Sequence, residues 1–502
     1  MSDSTSRARR GKAILCAALA AALSLARHAP TMDAPFDLGY AGTVSGRFAG
    51  VVVKTWDRAG WARCGGKPYL AAWPTDPPSG RIYLNHPPLS FWAARAVAAA
   101  TTLNERALRV LPVLSCAVAA ALCAGFAASR LSGRAGVVAA LTFAALPMTT
   151  VYGAMAGYEA PAFALGVAAW LRLDADAPGR ARLAACGVLL VLAAWIDWQG
   201  VFYAAGALLF FWIRSRRVPR LAVWRATAGA ATVGALSYLA LCAAWVGLDA
   251  SVDTFRSLRE ASASASVDVG WRPSEFLAAQ AGYARKLFGP TALLAGLLGV
   301  FAPALRCARR DPSVHAFIVA SVAAATLNVG IFQTQAFTHP FWSFPFAAAA
   351  TLGSAWVVEL VRRAGAKAGV LATVVVVAGA AFSAAVAARE VRKADTVTER
   401  ALAAAMNAVA DDDTLLLMPV SVGAAAFYAD AWVVPDLPPE DVPDVLRRFQ
   451  AGAFTTSRVV TLTWTVVRRA QPAAYDAIVA AGATESETVA LGVPLSVFTA
   501  VR

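Results

Sequence analysis

The sequence predicts an all-α polytopic membrane protein with a small α/β domain at its C-terminal end. Of the 502 residues, 58% are hydrophobic and only 15% are charged, whereas soluble domains carry about 25% charged residues. Apolar runs long enough to cross about 30 Å of hydrocarbon recur along the chain. After residue 388 these runs give way to short alternating segments. The composition therefore excludes an ordinary water-soluble protein.

Eleven apolar runs are candidate transmembrane helices. Several have only 14 residues, which favours a locally thin membrane or broken helices. In chain order the predicted spans are 12–28, 106–128, 135–151, 159–172, 183–196, 200–213, 222–247, 287–305, 313–331, 341–361 and 368–388.

The basic residues predict the orientation of these spans. The 45 Lys and Arg residues outnumber the 31 Asp and Glu residues, and the formal net charge is +14. They occur in short clusters between apolar runs, without the interleaved aromatics of a nucleic-acid surface, so no nucleic-acid partner is expected. Basic loops remain in the cytoplasm, which places the N-terminus there. Twenty basic residues then lie in the inner segments 1–12, 129–134, 172–182, 214–225, 306–311 and 362–367, and none in the short outer segments 152–158, 197–199 and 332–340.

The longest outer segment before the C-terminal domain is the first outer loop, residues 29–105. Within it the apolar run 88–104 carries Arg95 in its middle. If this run crossed the membrane, the following segments would change sides, and Arg130 and Arg134 would lie outside. We expect this run to lie along the outer interface as a juxtamembrane helix, with Phe91 and Trp92 as aromatic anchors. A cleaved signal peptide is the alternative interpretation of the first apolar run, because a basic start precedes it.

The chain divides into a transmembrane domain, 1–388, and an extracytoplasmic domain, 389–502. In the second domain Leu415–Pro419, Trp432–Pro435 and Val459–Trp464 are typical of strands, and 399–410, 439–450 and 472–481 of helices. This domain has no phosphate-binding loop, dinucleotide fingerprint or nucleophile elbow. A supporting or acceptor-binding role is therefore expected for it.

Several sequence strings in the first outer loop resemble a known family. They are Phe36-Asp-Leu-Gly-Tyr-Ala-Gly-Thr-Val-Ser-Gly-Arg47, Tyr83-Leu-Asn-His-Pro-Pro-Leu89 and Asn104-Glu-Arg-Ala-Leu-Arg109. Together with Tyr158-Glu159 and Asp197-Trp198, they resemble the bacterial C-type membrane glycosyltransferases related to protein O-mannosyltransferases and aminoarabinose transferases. The resemblance implies a polyprenyl-phosphate-linked sugar as donor and an acceptor that is a lipid, a glycan or a protein. It also implies a bacterial inner membrane, with the C-terminal domain in the periplasm.

Displacing a lipid phosphate from a sugar requires a carboxylate that takes the acceptor's proton and groups that stabilise the departing phosphate. Asp37 suits the first role. This sequence departs from the family's pattern of a doubled acidic residue, because Leu38 follows Asp37. Asp33 is therefore a rival for the catalytic position. His86, Arg47 and Lys67 are candidates for the phosphate. For the sugar or acceptor, the candidates are Glu159, Tyr158, Asp197, Trp198 and His339. Glu159 is expected to face a cavity and to bind either sugar hydroxyls or a base such as Arg109.

No cofactor is predicted, since the seven cysteines are scattered without metal-ligand spacing. A divalent cation shared by Asp37 and Glu159 is one alternative. A transporter or flippase for a lipid-linked glycan is another, although its ionisable residues would be expected deep within the spans. A third is a non-catalytic assembly subunit whose C-terminal domain is the working part.

Overall fold

The computed structural model describes residues 3–36, 39–175, 177–217, 219–256, 273–301, 312–393, 398–418, 424–435, 437–490 and 493–501. Each predicted span contains a helix. One described α-helix precedes the first outer loop, and fourteen follow it up to residue 393. In chain order they are Asp3–His28, Glu105–Arg130, Gly133–Ala145, Pro147–Tyr152, Glu159–Arg172, Arg180–Ile196, Gln199–Ser215, Leu221–Trp224, Ala230–Val246, Pro273–Phe288, Pro290–Phe301, Pro312–Ile331, Gln333–Thr338, Phe346–Ala364 and Ala366–Lys393.

Five helices within the described residues are long and apolar enough to cross a membrane singly, namely Arg7–Thr31, Glu105–Arg130, Leu221–Val246, Pro312–Ile331 and Ala366–Ala387. A bent pair of helices would raise the number to six. Other predicted spans form shorter helices, for example 13 residues in Gly133–Ala145 and 14 in Glu159–Arg172. The total of about eleven spans therefore stays a prediction.

The bent pair begins before the span predicted over 287–305, so its first helix was not expected. Pro273–Phe288 and Pro290–Phe301 meet at 109°. Gly289 between them has φ +70°, and a Cβ there would lie 2.5 Å from Ser383 Oγ. Glycine permits both the left-handed backbone and this close approach. The helix consequently begins at Pro290, and residues 302–305 lie outside the described part of the chain.

Two ion-pair networks connect segments that the charge pattern places inside. Asp174 Oδ1 accepts hydrogen bonds from Arg214 Nε at 2.7 Å and Ser313 Oγ at 2.9 Å, and Asp174 also pairs with Arg130. Glu359, only 3% exposed, accepts from Ser132 Oγ at 2.8 Å and from its own helix's arginines. The predicted inner segments thus meet one another in the fold.

Ser132→Ala tests one of these networks. The Ser132 hydroxyl accepts from Ala135 N at 3.2 Å as a helix N-cap and also donates to Glu359. Losing a cap and a hydrogen bond to a charged group is expected to cost about 1–3 kcal/mol of unfolding free energy. We expect a lower melting temperature in detergent with unchanged activity per folded molecule. Ser129→Ala is the control, because Ser129 is exposed and its hydroxyl donates to Phe126 O within its own helix. An equal loss there would contradict the role of Ser132.

The first outer loop is a folded unit. It contains the helix Gly39–Ser45, a π turn at Gly46–Gly50, the helix Val51–Ala59, the antiparallel hairpin of β1 (Tyr69–Trp73) and β2 (Ser79–Ile82), and the helix Leu89–Ala100. The sequence did not predict this hairpin.

The juxtamembrane helix of this loop is present, but its aromatic residues face protein. Phe91 is 1% exposed and packs among Val52, Val53 and Trp56. Trp92 Nε1 donates to the backbone oxygen of Gly66 at 3.0 Å. The interpretation of Phe91 and Trp92 as membrane anchors was therefore wrong for Phe91, and Trp92 binds the loop to itself.

A five-stranded sheet forms the centre of the C-terminal domain, in the order β4-β3-β5-β7-β6. β3 (Thr414–Leu417), β4 (Trp432–Val434) and β5 (Arg458–Trp464) are parallel and occupy the predicted positions, whereas β6 (Thr484–Ala490) and β7 (Val493–Val501) add an unpredicted antiparallel pair. Helices Thr398–Val409, Val442–Gln450 and Pro472–Ala480 match the predicted ones, and Thr465–Ala470 is additional.

Central burial explains the apolar strand β3. Leu415 and Leu417 pack into one side of the sheet with Phe449 and Tyr475, and Leu416 packs into the other. A strand covered on both faces is apolar throughout rather than alternating.

Candidate functional site

A cavity of about 500 Å³ lies where the first outer loop meets the predicted outer turns. Pockets of about 300–1,000 Å³ are the usual size for small-molecule sites. Among the described residues, those that line the cavity are mainly aromatic and include two histidines. The lining residues are Val44, Phe48, Tyr83, Asn85, His86, Tyr158, Trp198, Phe255, Ile331, Phe332, Gln335, His339, Phe341 and Trp342. Four sequence-predicted site residues, His86, Tyr158, Trp198 and His339, are thus brought together.

His86 and Asp197 form a buried pair at this cavity. His86 Nδ1 lies 3.0 Å from Asp197 Oδ1, and the two residues are 7% and 0% exposed. An ionised carboxylate can only accept, so Nδ1 donates and Nε2 is left for a ligand. Asp197 reaches this position because it follows the last turn of the helix Arg180–Ile196. The imidazole ring stacks on Tyr158 with a centroid distance of 3.8 Å.

The backbone that carries His86 is fixed from a neighbouring helix. The hydroxyl of Tyr238 donates to the backbone oxygens of Leu84, at 2.8 Å, and His86, at 3.1 Å. Trp198 Nε1 donates to the backbone oxygen of Asn85 at 2.8 Å. The irregular segment between β2 and the helix Leu89–Ala100 is therefore held against the bundle.

Glu159 is the second buried carboxylate beside the cavity. It is 2% exposed, and its Oε2 accepts from the backbone N–H of Tyr158 at 3.2 Å. Arg109 was a sequence-based candidate partner for Glu159, and this was wrong. The Arg109 guanidinium instead donates to the backbone oxygens of Met32 and Ala34.

His339 also lines the cavity and is held in its neutral form. Burial, together with the nearby His86, lowers the pKa of His339 to about 4. The imidazole stacks on Phe341 at 5.4 Å. At neutral pH this ring therefore has one donor nitrogen and one acceptor nitrogen.

The remaining sequence-predicted residues lie outside the described lining. Arg47 is exposed, with its guanidinium 5.8 Å from the ring centre of Phe48, which does line the cavity. Lys67 is half-buried in the loop, where its backbone oxygen accepts from Trp56 Nε1. Asp37 lies outside the described residues, directly after Phe36.

Asp33 forms an exposed ion pair. Its carboxylate accepts from Arg106 Nε at 2.7 Å and also from a terminal nitrogen of Arg106. These hydrogen bonds lower the pKa of Asp33, with a smaller contribution from the charge of Arg109. A carboxylate held in this way is a weak base.

Sequence reasoning missed several lining residues. Tyr83 and Asn85 belong to the same sequence string as His86, Tyr83–Leu89. Their place in that string could have marked them as site residues. Burial raises the pKa of Tyr83, which keeps its phenol neutral. Trp342 and Gln335 lie in or beside the outer turn 332–340, but nothing in the sequence aims them at His86. Tyr238, which holds the backbone at His86 from outside the lining, lies in mid-helix, and its neighbour Ser237 gives no signal of a site.

No group of three or more His, Cys, Asp or Glu side chains among the described residues could hold a metal ion. Asp37, one of the two carboxylates proposed from the sequence for a cation, is not among those residues.

No protein-family model matches the chain, and no curated protein matches its sequence. Solved structures do match. ArnT from Cupriavidus metallidurans bound to undecaprenyl phosphate has a TM-score of 0.57 at 14% identity over 97% of this chain and 98% of that one. Its apo form gives 0.55 at 14% identity over 99% and 98%.

A second structural relative is the archaeal oligosaccharyltransferase AglB from Archaeoglobus fulgidus, in complex with an inhibitory peptide and a dolichol-phosphate. Its TM-score is 0.51 at 12% identity over 95% of this chain and 71% of that one. The likeness to both proteins extends along almost the whole of this chain. The resemblance inferred from the sequence is confirmed for the fold: the chain has the fold of the C-type membrane glycosyltransferases.

Proposed function

We propose that the protein is a membrane glycosyltransferase that takes its sugar from a polyprenyl-phosphate donor. The observation that carries the proposal is the cavity in which a buried His86–Asp197 pair meets aromatic walls. The fold shared with ArnT, which was solved with undecaprenyl phosphate, supports this class of donor.

The two ends of a lipid-linked sugar suit different parts of the site. Aromatic faces such as those of Trp198 and Tyr158 pack against the apolar face of a sugar ring. In its imidazolium form, with the Asp197 carboxylate accepting from Nδ1, His86 can donate from Nε2 to a phosphate oxygen. Arg47 is a cation next to Phe48, which lines the cavity. Lys67 is the alternative cation in the same loop. Glu159 and His339 are then available for sugar or acceptor hydroxyls.

The proposed reaction is a displacement at the anomeric carbon. An acceptor hydroxyl oxygen forms a bond to that carbon while the bond from the carbon to the phosphate oxygen breaks. The hydroxyl proton passes to the Asp37 carboxylate, and polyprenyl phosphate leaves with the electron pair. Asp33 is the less suitable base because Arg106 already binds its carboxylate. A divalent cation near Asp37 and Glu159 is a further hypothesis, and no step of this mechanism requires it.

The proposed topology follows the charge pattern, with eleven spans in a bacterial inner membrane, a cytoplasmic N-terminus and a periplasmic C-terminal domain. Its support is that predicted outer segments meet at the cavity, whereas predicted inner segments meet at Asp174 and Glu359. Nucleotide sugars are made in the cytoplasm, so a donor used on the other side must already be lipid-linked. The acceptor is a lipid, a glycan or a protein hydroxyl on that face.

A cleavage assay distinguishes this function from the alternatives. Purified protein in liposomes would receive a polyprenyl-phosphate sugar that is radiolabelled in the sugar, together with extracted envelope acceptors. We expect label in the acceptor and release of unlabelled polyprenyl phosphate. Movement of intact donor across the bilayer without cleavage would instead indicate a flippase. Neither cleavage nor movement would favour the assembly subunit.

Trp198→Ala tests the sugar-binding wall. Loss of an aromatic contact of about 1.4 kcal/mol corresponds to a tenfold weaker interaction, so we expect the donor KM to rise about tenfold. Trp212→Ala is the matched control, because Trp212 follows in the next helix and is 54% exposed, outside the lining. Equal effects of the two substitutions would argue against sugar binding by Trp198.

A further inference from the structure

The C-terminal domain packs closely against the π turn that continues the first helix of the outer loop. This helix, Gly39–Ser45, continues into the π turn that ends at Gly50. A Cβ on Gly46 would lie 2.5 Å from the Cβ of Ala424, and a Cβ on Gly50 would lie 2.8 Å from the ring of Phe427. Side chains larger than hydrogen would separate the two surfaces. The glycines at positions 46 and 50 therefore allow the C-terminal domain to contact this backbone directly.

A tyrosine of the same domain binds the backbone immediately before Asp37. The backbone N–H of Phe36 donates to the Tyr428 hydroxyl at 2.7 Å, and this hydroxyl donates to Glu105 Oε1 at 2.9 Å. Phe36 is completely buried, and its ring meets Phe427 edge to face at 5.0 Å. Tyr428 thus joins the loop to the start of the helix Glu105–Arg130.

The opposite side of the same loop helix forms part of the cavity. Val44 and Phe48 line it. Between them, the Ser45 hydroxyl accepts from the backbone N–H of Ala156 at 2.8 Å, which ties the helix to the turn before Tyr158. One short element therefore lies between the C-terminal domain and the cavity.

We infer that Tyr428 is a positioning residue for sugar transfer. It holds the Phe36 amide against Glu105 and so fixes the backbone from which Asp37 follows, together with the cavity wall at Val44. This inference rests on the proposed function, because it assumes that Asp37 is the base. A displacement of about 1 Å at a reacting group can reduce a rate by about 100-fold, so a tether at the adjacent residue matters for turnover.

Amide exchange tests the tether without reference to activity. Tyr428→Phe removes the acceptor of the Phe36 amide, and we expect hydrogen–deuterium exchange at that amide to accelerate at least tenfold. Tyr475→Phe is the matched control, because Tyr475 is fully buried in the same domain and its hydroxyl bonds to Thr463 Oγ1 at 3.0 Å. Unchanged exchange in Tyr428→Phe, or equal acceleration in both variants, would overturn the inference.

Kinetics then test the consequence of the tether. Tyr428→Phe is expected to lower kcat about tenfold with the donor KM within twofold of wild type, and Glu105→Gln, which keeps an acceptor for Tyr428, to retain wild-type kcat. Gly46→Ala pushes the same surfaces apart and should reproduce the kcat loss if Tyr428→Phe folds poorly. Faster exchange with unchanged kcat would overturn the positioning role. A wild-type protein that transfers no sugar, with the exchange result as expected, would instead contradict the proposed function.

Discussion

Replacing Asp37 by Asn is expected to lower the kcat of sugar transfer by about 10²- to 10⁴-fold, the usual contribution of a general base. The amide keeps the size of the side chain but cannot take the acceptor's proton. Because the sugar and phosphate contacts are assigned to other residues, the donor KM should stay close to that of wild type. The measurement is steady-state transfer from a polyprenyl-phosphate sugar in liposomes, normalised to folded protein.

Asp33→Asn is the natural control for this variant. It removes the same charge four residues earlier, in a side chain that is exposed and paired with Arg106. Exposed ion pairs contribute about 0–1 kcal/mol to stability, so both activity and melting temperature should change little. If Asp33→Asn loses as much activity as Asp37→Asn, the base has been assigned to the wrong carboxylate. If both variants keep wild-type activity, the loop supplies no base.

Asp197→Asn is expected to reduce kcat/KM by at least 100-fold. The Asp197 carboxylate accepts from His86 Nδ1, and this bond fixes both the orientation of the ring and the nitrogen that faces a ligand. An asparagine amide carries no charge to balance an imidazolium, and it can present either an acceptor or a donor to Nδ1. The ring would therefore lose both its counter-charge and its fixed orientation. Loss of an orienting carboxylate in a His–Asp pair has large kinetic effects in enzymes generally.

A double-mutant cycle separates this role from a general loss of packing. If Asp197 acts through His86, the variant that combines Asp197→Asn with His86→Ala should be no worse than His86→Ala alone. Tyr203→Phe serves as a control, since its hydroxyl bonds to Gln199 in the same buried region at 3.3 Å. Additive effects in the cycle, or an equal loss in Tyr203→Phe, would show that Asp197 acts independently of the histidine.

The parts of the fold that depend on local patterns could be predicted from the sequence. Each of the eleven apolar runs contains a helix, and short apolar segments marked β3, β4 and β5. The missed elements depend on distant partners. The β1–β2 hairpin is short and partly exposed, and β6 has the polar sequence Thr-Glu-Ser-Glu-Thr, which becomes a strand by pairing with β7.

The candidate site shows the same division. His86, Tyr158, Asp197 and Trp198 could be identified because polar groups near a membrane surface are informative on their own. The pairing of His86 with Asp197 joins residues 111 positions apart, and no spacing rule reveals it. Arg109 was assigned to Glu159 on charge alone, whereas the fold directs its guanidinium to backbone oxygens.

The bond between Phe36 and Tyr428 also has a consequence for the order of assembly. These residues are 392 positions apart in the chain. Chains emerge from the ribosome N-terminal end first, and contacts of such separation form after local structure. The loop that carries Asp37 is therefore synthesised long before the tyrosine that holds its neighbour Phe36. A newly inserted bundle should gain its final outer-loop geometry only when the C-terminal domain has folded beside it, which would keep nascent chains inactive in a membrane full of donor lipid.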